Sequence, residues 1–239
     1  MPERALRVLS VFGTRPEAIK MAPVVQQLAV TPGVESLVCV TAQHREMLDQ
    51  ILDLFQIRPD YDLDLMRPDQ KLSELTAAVF NDLEPVLVQA QPDWIIIQGD
   101  TTTVMAAALL AFYHRVRVGH VEAGLRTGDK WQPFPEEINR RVAGVVADLH
   151  FAPTENARQN LLSEGVPAGA VVVTGNPVID ALQQIAQHAQ DSTPTALASV
   201  PTDRRIILLT AHRRENFGRP LENVFNAVRT LAQRYAQDV

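Results

Sequence analysis

Cysteine is almost absent: Cys39 stands alone among 239 residues. No intramolecular disulfide can form, and no zinc cluster can be built on thiolates. Cys39 sits inside the apolar run Leu37–Val40, so a buried structural thiol is expected. A basic surplus is also missing. Lys and Arg number 22 against 28 Asp and Glu, for a net charge of −6, which leaves no broad basic footprint for nucleic acid. Local cations can still meet a phosphorylated small molecule. No run reaches the roughly 18 apolar residues of a membrane span. The N-terminus passes directly into a strand with no cleavage-type region. Internal repeats and long low-complexity segments are absent. These gaps predict a cytoplasmic protein with no nucleic-acid or membrane partner.

Several chemical signatures are missing too. There is no G-x-G-x-x-G and no Walker A lysine pattern, so neither a dinucleotide fingerprint nor a P-loop is supported. H-E-x-x-H is absent, and no His/Asp/Glu grouping has metal spacing, so no metal is expected. The serines lack a G-x-S-x-G setting. No cofactor is implied.

What is present is a core and a rhythm. Apolar residues make up 46% and charged residues 21%, ordinary for a soluble globular chain. Its length fits one large domain, or one domain and part of another. Strand-like apolar runs at Leu6–Phe12, Leu37–Thr41, Trp94–Gln98, Val116–Val121, His150–Ala152 and Val171–Thr174 alternate with helical stretches, and Asp60–Leu65 suggests a short strand or extended segment. The helices are expected from about Thr14 to Val30 and at Gln43–Phe55, Leu72–Gln91, Thr101–His114, Glu136–Asp148, Glu155–Glu164 and Pro177 to about Gln190. The main strand runs are apolar on both faces, which predicts a doubly wound parallel α/β sheet of Rossmann-like type. Gln190–Asp203 reads as a loop or linker. A strand at Arg205–Thr210 and a helix at Leu221–Tyr235 then look like the first unit of a second α/β domain. The expected division is 1–175 for the first domain. Residues 176–239 would hold a linking helix, a loop and the opening of an incomplete second Rossmann-like domain.

Three places can carry chemistry. The turn Gly13-Thr14-Arg15, with Lys20 one helical turn on, puts free backbone N–H groups and two cations at a helix N-terminus, where phosphate is favoured; an ordinary strand-to-helix turn is the alternative. Asp100 and Glu122 follow two strands, at the carboxyl ends where open α/β sheets bind ligands. Glu136 begins a helix after Pro135. Each acid also has a bland explanation. Asp100 can cap a helix, Glu122 can pair with Arg126, and Glu136 can answer a helix dipole. His212 is the only histidine in a polar loop past a strand run; His120 and His150 lie in apolar strands and read as structural.

Taken together, GTRPEAIKMAPVV, TAQHREMLDQ, QGDTTT, HVEAGLRTGD with PFPEEINRR, TGNPVID and TAHRREN closely resemble the non-hydrolysing UDP-N-acetylglucosamine 2-epimerases. The resemblance runs through essentially the whole chain. It implies two Rossmann-like domains around a cleft, as in GT-B glycosyltransferases, and interconversion of UDP-GlcNAc and UDP-ManNAc, supplying ManNAc for cell-surface polysaccharide. Asp100, Glu122, Glu136 and His212 match acid-base and substrate-contact positions, and Arg15 and Lys20 match nucleotide-sugar contacts. Gln43, Arg213 and Glu215 match positions tied to a second, allosteric UDP-GlcNAc site in bacterial members; Glu46 stands where some members have Gln. Members continue well past the equivalent of Val239, so the second domain is expected to be incomplete here. The full-length form is expected to be a homodimer. A hydrolysing 2-epimerase, a non-catalytic fragment and a glycosyltransferase are the alternatives.

Overall fold

In the computed structural model, residues 4–42, 45–67, 69–188, 203, 206–211 and 217–236 are described. The chain divides into two compact units, Met1–Ala186 and Gln187–Val239.

The first unit is built on seven parallel strands: β1 (Leu6–Phe12), β2 (Val34–Val40), β3 (Tyr61–Asp62), β4 (Trp94–Gln98), β5 (Arg117–Val121), β6 (Leu149–Ala152) and β7 (Val171–Val173). Their order is β3-β2-β1-β4-β5-β6-β7. The sheet grows outward in one direction from β1 and in the other from β4. The order therefore reverses between these two neighbours, which pair from Val8↔Trp94 to Val11↔Ile97.

Among the described residues, seven α-helices belong wholly or mainly to this unit: α1 (Arg15–Val30), α2 (Arg45–Leu54), α3 (Leu72–Ala90), α4 (Thr102–Tyr113), α5 (Glu136–Val146), α6 (Glu155–Ser163) and α7 (Val178–His188). The strand pleat sorts them onto two faces. Leu9, Val11, Ile95, Ile97 and Val118 pack with Val79, Leu83, Ala107 and Leu110 of α3 and α4. Val8, Phe12, Val38, Val40 and Ile96 point the other way, against Met21, Val25, Leu48 and Leu52 of α1 and α2. Successive side chains on a strand alternate faces, so an unbroken apolar run such as Ile95-Ile96-Ile97 serves both layers. Each large aliphatic side chain so buried contributes about 1.5–3 kcal/mol. Ala181 and Ile185 of α7 join the second face, which ties that helix to the first unit. The division thus falls after the expected 1–175 boundary.

In the second unit one expected element is not formed. Residues 206–211 form no strand, whereas Arg205–Thr210 reads as one. Ile206, Ile207 and Leu208 are exposed, and a strand needs a hydrogen-bonded neighbour that the described residues of this unit do not supply. The helix that follows, α8 (Arg219–Arg234), is amphipathic but buries none of its residues.

Gly124 shows how tightly the turns are set. Its φ is +88°, and an added Cβ would lie 2.2 Å from the Ala157 carbonyl oxygen on α6. Asn160 Nδ2 donates to the Gly124 carbonyl at 2.9 Å. Gly124→Ala combines a left-handed backbone with a clash against backbone, and should destabilise the chain by about 2 kcal/mol or more. The midpoint of urea unfolding, followed by circular dichroism, measures this; an unchanged midpoint would contradict the packing described.

Candidate active site

The turns that leave β1 and β4 run to α1 and α4 on opposite faces of the sheet. Between them lies a cavity of about 560 Å³. Its lining includes Thr14, Glu17 and Lys20 from the first turn and α1, Gln98 to Thr102 from the second, Glu122 from the end of β5, and Pro135 and Glu136 from the start of α5. Asp100, Glu122 and Glu136, separate in sequence, thus face one volume. Carboxyl ends of strands at an order reversal are where open α/β sheets place ligands.

The bland alternatives for two of these acids fail. Thr101, not Asp100, caps α4: its hydroxyl accepts from Val104 N at 3.3 Å. Arg126 is taken by Glu164 in a two-point pair at 2.8 and 2.7 Å, so it does not hold Glu122.

Glu122 is held by other groups. Its Oε2 meets Lys20 Nζ at 2.5 Å and accepts a short hydrogen bond from Gln98 Nε2. Its Oε1 accepts from Asn176 Nδ2 at 2.8 Å. The backbone of Glu122 has φ +63°, a left-handed conformation that a residue with a Cβ seldom adopts. Such a bend at the strand end is sustained only because its surroundings over-determine it. Both oxygens are engaged, and the carboxylate is fixed in place.

Asp100 is the opposite case. Its paired cation among the described residues, Arg140, is 3.7 Å away, and Arg140 lies closer to Glu137, at 3.1 Å. Burial, reinforced by the charges of Glu136 and Glu122, pushes the Asp100 carboxyl up to about 6, against the opposing pull of Arg140 and Lys20. Its side chain is 33% exposed, so it is open to the cavity. The Asp100 carbonyl accepts from Asn139 Nδ2 at 3.0 Å, which anchors its backbone to α5.

Around this centre sits a supporting layer. Glu137 has no exposed side chain and pairs with Arg140 and Arg141, each at 3.1 Å. Burial works upward on its carboxyl, but the Thr127 N–H and the two arginines outweigh that and hold it below the usual range. His120 is buried, with Nε2 2.8 Å from the Gly99 carbonyl oxygen. Burial drives it down to about 4, so it is a neutral structural histidine supporting the β4 turn. Cys39 is buried as expected, its thiol pushed up to about 12 by burial and by Asp62.

The turn at Gly13 is not the open phosphate site its sequence suggests. Gly13 N and Thr14 N both donate to Glu17 Oε2 at 2.7 Å. The anion at this helix N-terminus is the chain's own carboxyl. Arg15 is exposed and does not line the cavity, whereas Lys20 does. Gln43, His212, Arg213 and Glu215 lie outside the described residues. The spacing of Thr14 and Glu17 is that of a helix capping box, and nothing local marks Gln98 or Asn176 as a partner of Glu122. Gln98 carried a signal, as the polar end of the otherwise apolar strand Trp94–Gln98. The bond from Thr101 to Glu17 and the one from Asn176 to Glu122 carried little signal, because these partners are distant in sequence.

The family model described as UDP-N-acetylglucosamine 2-epimerase matches residues 26–239. A UDP-N-acetylglucosamine 2-epimerase of Yersinia pestis is 54% identical, with 97% of this chain matched to 63% of that protein. One from Escherichia coli K12 is 51% identical over 98% of this chain and 64% of that protein. Among solved structures, UDP-GlcNAc 2-epimerase from Neisseria meningitidis bound to UDP-GlcNAc superposes with a TM-score of 0.91 at 48% identity, covering 98% of this chain and 64% of that one. The Methanocaldococcus jannaschii enzyme in complex with UDP-GlcNAc and UDP gives a TM-score of 0.83 at 32% identity, over 97% and 64%. The chain thus spans under two thirds of the length of these relatives.

The raised Asp100 carboxyl has a measurable consequence for stability. In the unfolded chain it returns to its ordinary 3.8. Between that value and about 6, the folded state holds more protons than the unfolded state, so stability falls as pH rises through this window. Asp100→Asn removes the disfavoured charge. The variant should melt about 2 °C or more above the wild-type chain at pH 7.5, with the gain vanishing below about pH 4. Thermal melts across pH test this; a variant less stable at pH 7.5 would contradict it.

Proposed function

The chain belongs to the UDP-N-acetylglucosamine 2-epimerase family, and from that premise we propose that the whole protein interconverts UDP-GlcNAc and UDP-ManNAc. The convergence of Asp100, Glu122 and Glu136 with Lys20 on one cavity supports this reading most directly. Inverting C2 requires a proton to leave one face of the sugar and return on the other. That C–H is too weak an acid for simple deprotonation.

The proposed route is elimination. The C1–O bond breaks and its electron pair leaves with UDP. The C2 proton passes to a carboxylate, and the C–H electrons form the C1–C2 double bond of 2-acetamidoglucal. Re-addition reverses the steps, with protonation on the opposite face. Proton transfer is most effective when the group titrates near the working pH. Asp100, exposed to the cavity and titrating near 6, suits that part. Glu122, with both oxygens engaged by Lys20, Gln98 and Asn176, suits the part of a fixed charge that orients the sugar and steadies developing positive charge at C1. Glu136 and His212 are proposed as substrate contacts or partners in proton transfer. Arg15 is proposed to meet the nucleotide sugar from outside the cavity, and Gln43, Arg213 and Glu215 to serve a second, allosteric UDP-GlcNAc site. The second unit is proposed as the opening of a second Rossmann-like domain. The working form is proposed as a cytoplasmic homodimer; the exposed side chains of Val88, Phe112 and Tyr113 on α3 and α4 offer it apolar surface. The ManNAc unit would feed cell-surface polysaccharide.

Full-length protein incubated with UDP-GlcNAc in deuterium oxide should yield UDP-ManNAc carrying solvent deuterium at C2, read by NMR. Release of free ManNAc and UDP would instead indicate the hydrolysing reaction, and retention of the original hydrogen at C2 would rule out the elimination route. Asp100→Asn and Glu122→Gln should each lower turnover by at least about tenfold; wild-type rates in both would remove their assigned roles.

A further inference from the structure

We propose that Glu17 is a positioning residue for the reaction: its carboxyl group fills the anion site at the start of α1 and, through Thr101, sets where Asp100 stands. The reaction is the one proposed above; the brace itself stands on geometry. A bare helix N-terminus attracts phosphate because its first N–H groups lack partners. Here Gly13 N and Thr14 N are both satisfied by Glu17 Oε2. The other oxygen, Oε1, accepts from Thr101 Oγ1 at 2.6 Å. One buried carboxyl group, 3% exposed, therefore joins the turn after β1 to the turn after β4.

The Thr101 hydroxyl is engaged on both sides. It donates to Glu17 and accepts from Val104 N at the start of α4. Asp100 is the residue immediately before it, and the Asp100 carbonyl is held from the opposite side by Asn139. The backbone of the acid is thus clamped between α1 and α5, while its side chain stays open to the cavity. Close approach completes the seal. A Cβ on Gly13 would lie 2.0 Å from Thr41 Oγ1 and 3.2 Å from Thr103 Oγ1, and those two hydroxyls are 3.1 Å apart. Burial pushes the Glu17 carboxyl up, opposed by its hydrogen bonds from Thr101, Gly13 and Thr14. A costly buried acid that spans the two turns of the site does more than cap a helix. It follows that the diphosphate is not bound by the Gly13 and Thr14 amides.

The test uses the full-length protein with Glu17→Gln, Thr101→Val, their double variant and Thr101→Ser. In Glu17→Gln one oxygen can still take the two amides, but the new NH₂ cannot accept the Thr101 proton. Turnover should fall about tenfold in Glu17→Gln and in Thr101→Val, less than the hundredfold that a 1 Å misplacement can cost. KM should stay within about twofold, because the loss lies in the chemical step. The double variant should be no slower than the slower single variant, since coupled residues are not additive. Thr101→Ser should restore wild-type turnover. The pH midpoint assigned to Asp100 should drop in Glu17→Gln, as the released side chain turns toward water. Wild-type turnover in Glu17→Gln, additive losses, or an unmoved midpoint would each overturn the proposal. If Glu17→Gln does not fold, the Thr101 pair decides: loss with Val and recovery with Ser support the brace, and equal rates overturn it. An inactive wild-type protein would instead remove the functional reading. The brace would then be judged on the carboxyl ¹³C titration of Asp100, where a lowered midpoint in Glu17→Gln supports it and an unchanged one overturns it.

Discussion

β1 and β4 lie side by side at the centre of the sheet, yet the helices that follow them pack on opposite faces. Their outgoing turns must therefore separate, and the cavity is the space this separation leaves. Everything chemical in the first unit hangs from that constraint. The open end of the gap would expose unpartnered N–H groups of Gly13 and Thr14; Glu17 answers them and ties the two turns back together. β5, next to β4, adds Glu122 at its end, and α5 brings Glu136 to the rim.

Within this space the two best-defined carboxylates are placed in contrasting electrical settings. Glu122 is surrounded by donors on both oxygens and held by a left-handed backbone. Among the described residues Arg140 is the only cation paired with Asp100, at 3.7 Å, because Arg140 is drawn toward Glu137. Burial and the neighbouring acids then lift its carboxyl into the range where protons exchange near neutrality. A carboxylate held on both oxygens beside one free to exchange protons with the cavity is an arrangement suited to acid-base chemistry.

The layered fold was largely legible in the chain. Runs such as Leu6–Phe12 and Trp94–Gln98 are apolar on both faces, and only a sheet covered on both sides accommodates that. The candidate acids were legible as positions, since each follows a strand run or opens a helix. Their partners were not. Thr14 and Glu17 have the spacing of a capping box, and that box is present, but the bond of Glu17 to Thr101 spans 84 positions and leaves no local pattern. The strand expected at Arg205–Thr210 is not formed over the described residues 206–210 for a related reason: propensity names a segment able to pair, and pairing requires a neighbour.

By itself, the sequence determined the alternation of strands and helices, their two-sided burial, and the motifs that mark the family, because these depend on local spacing and residue type. Only the tertiary structure decided which acids share a cavity, that Thr101 rather than Asp100 caps α4, that Arg126 belongs to Glu164, and that the phosphate-friendly turn at Gly13 is already occupied. Those outcomes depend on which distant side chains arrive within hydrogen-bonding distance. That is set by the order in which strands join the sheet, and no local spacing encodes it.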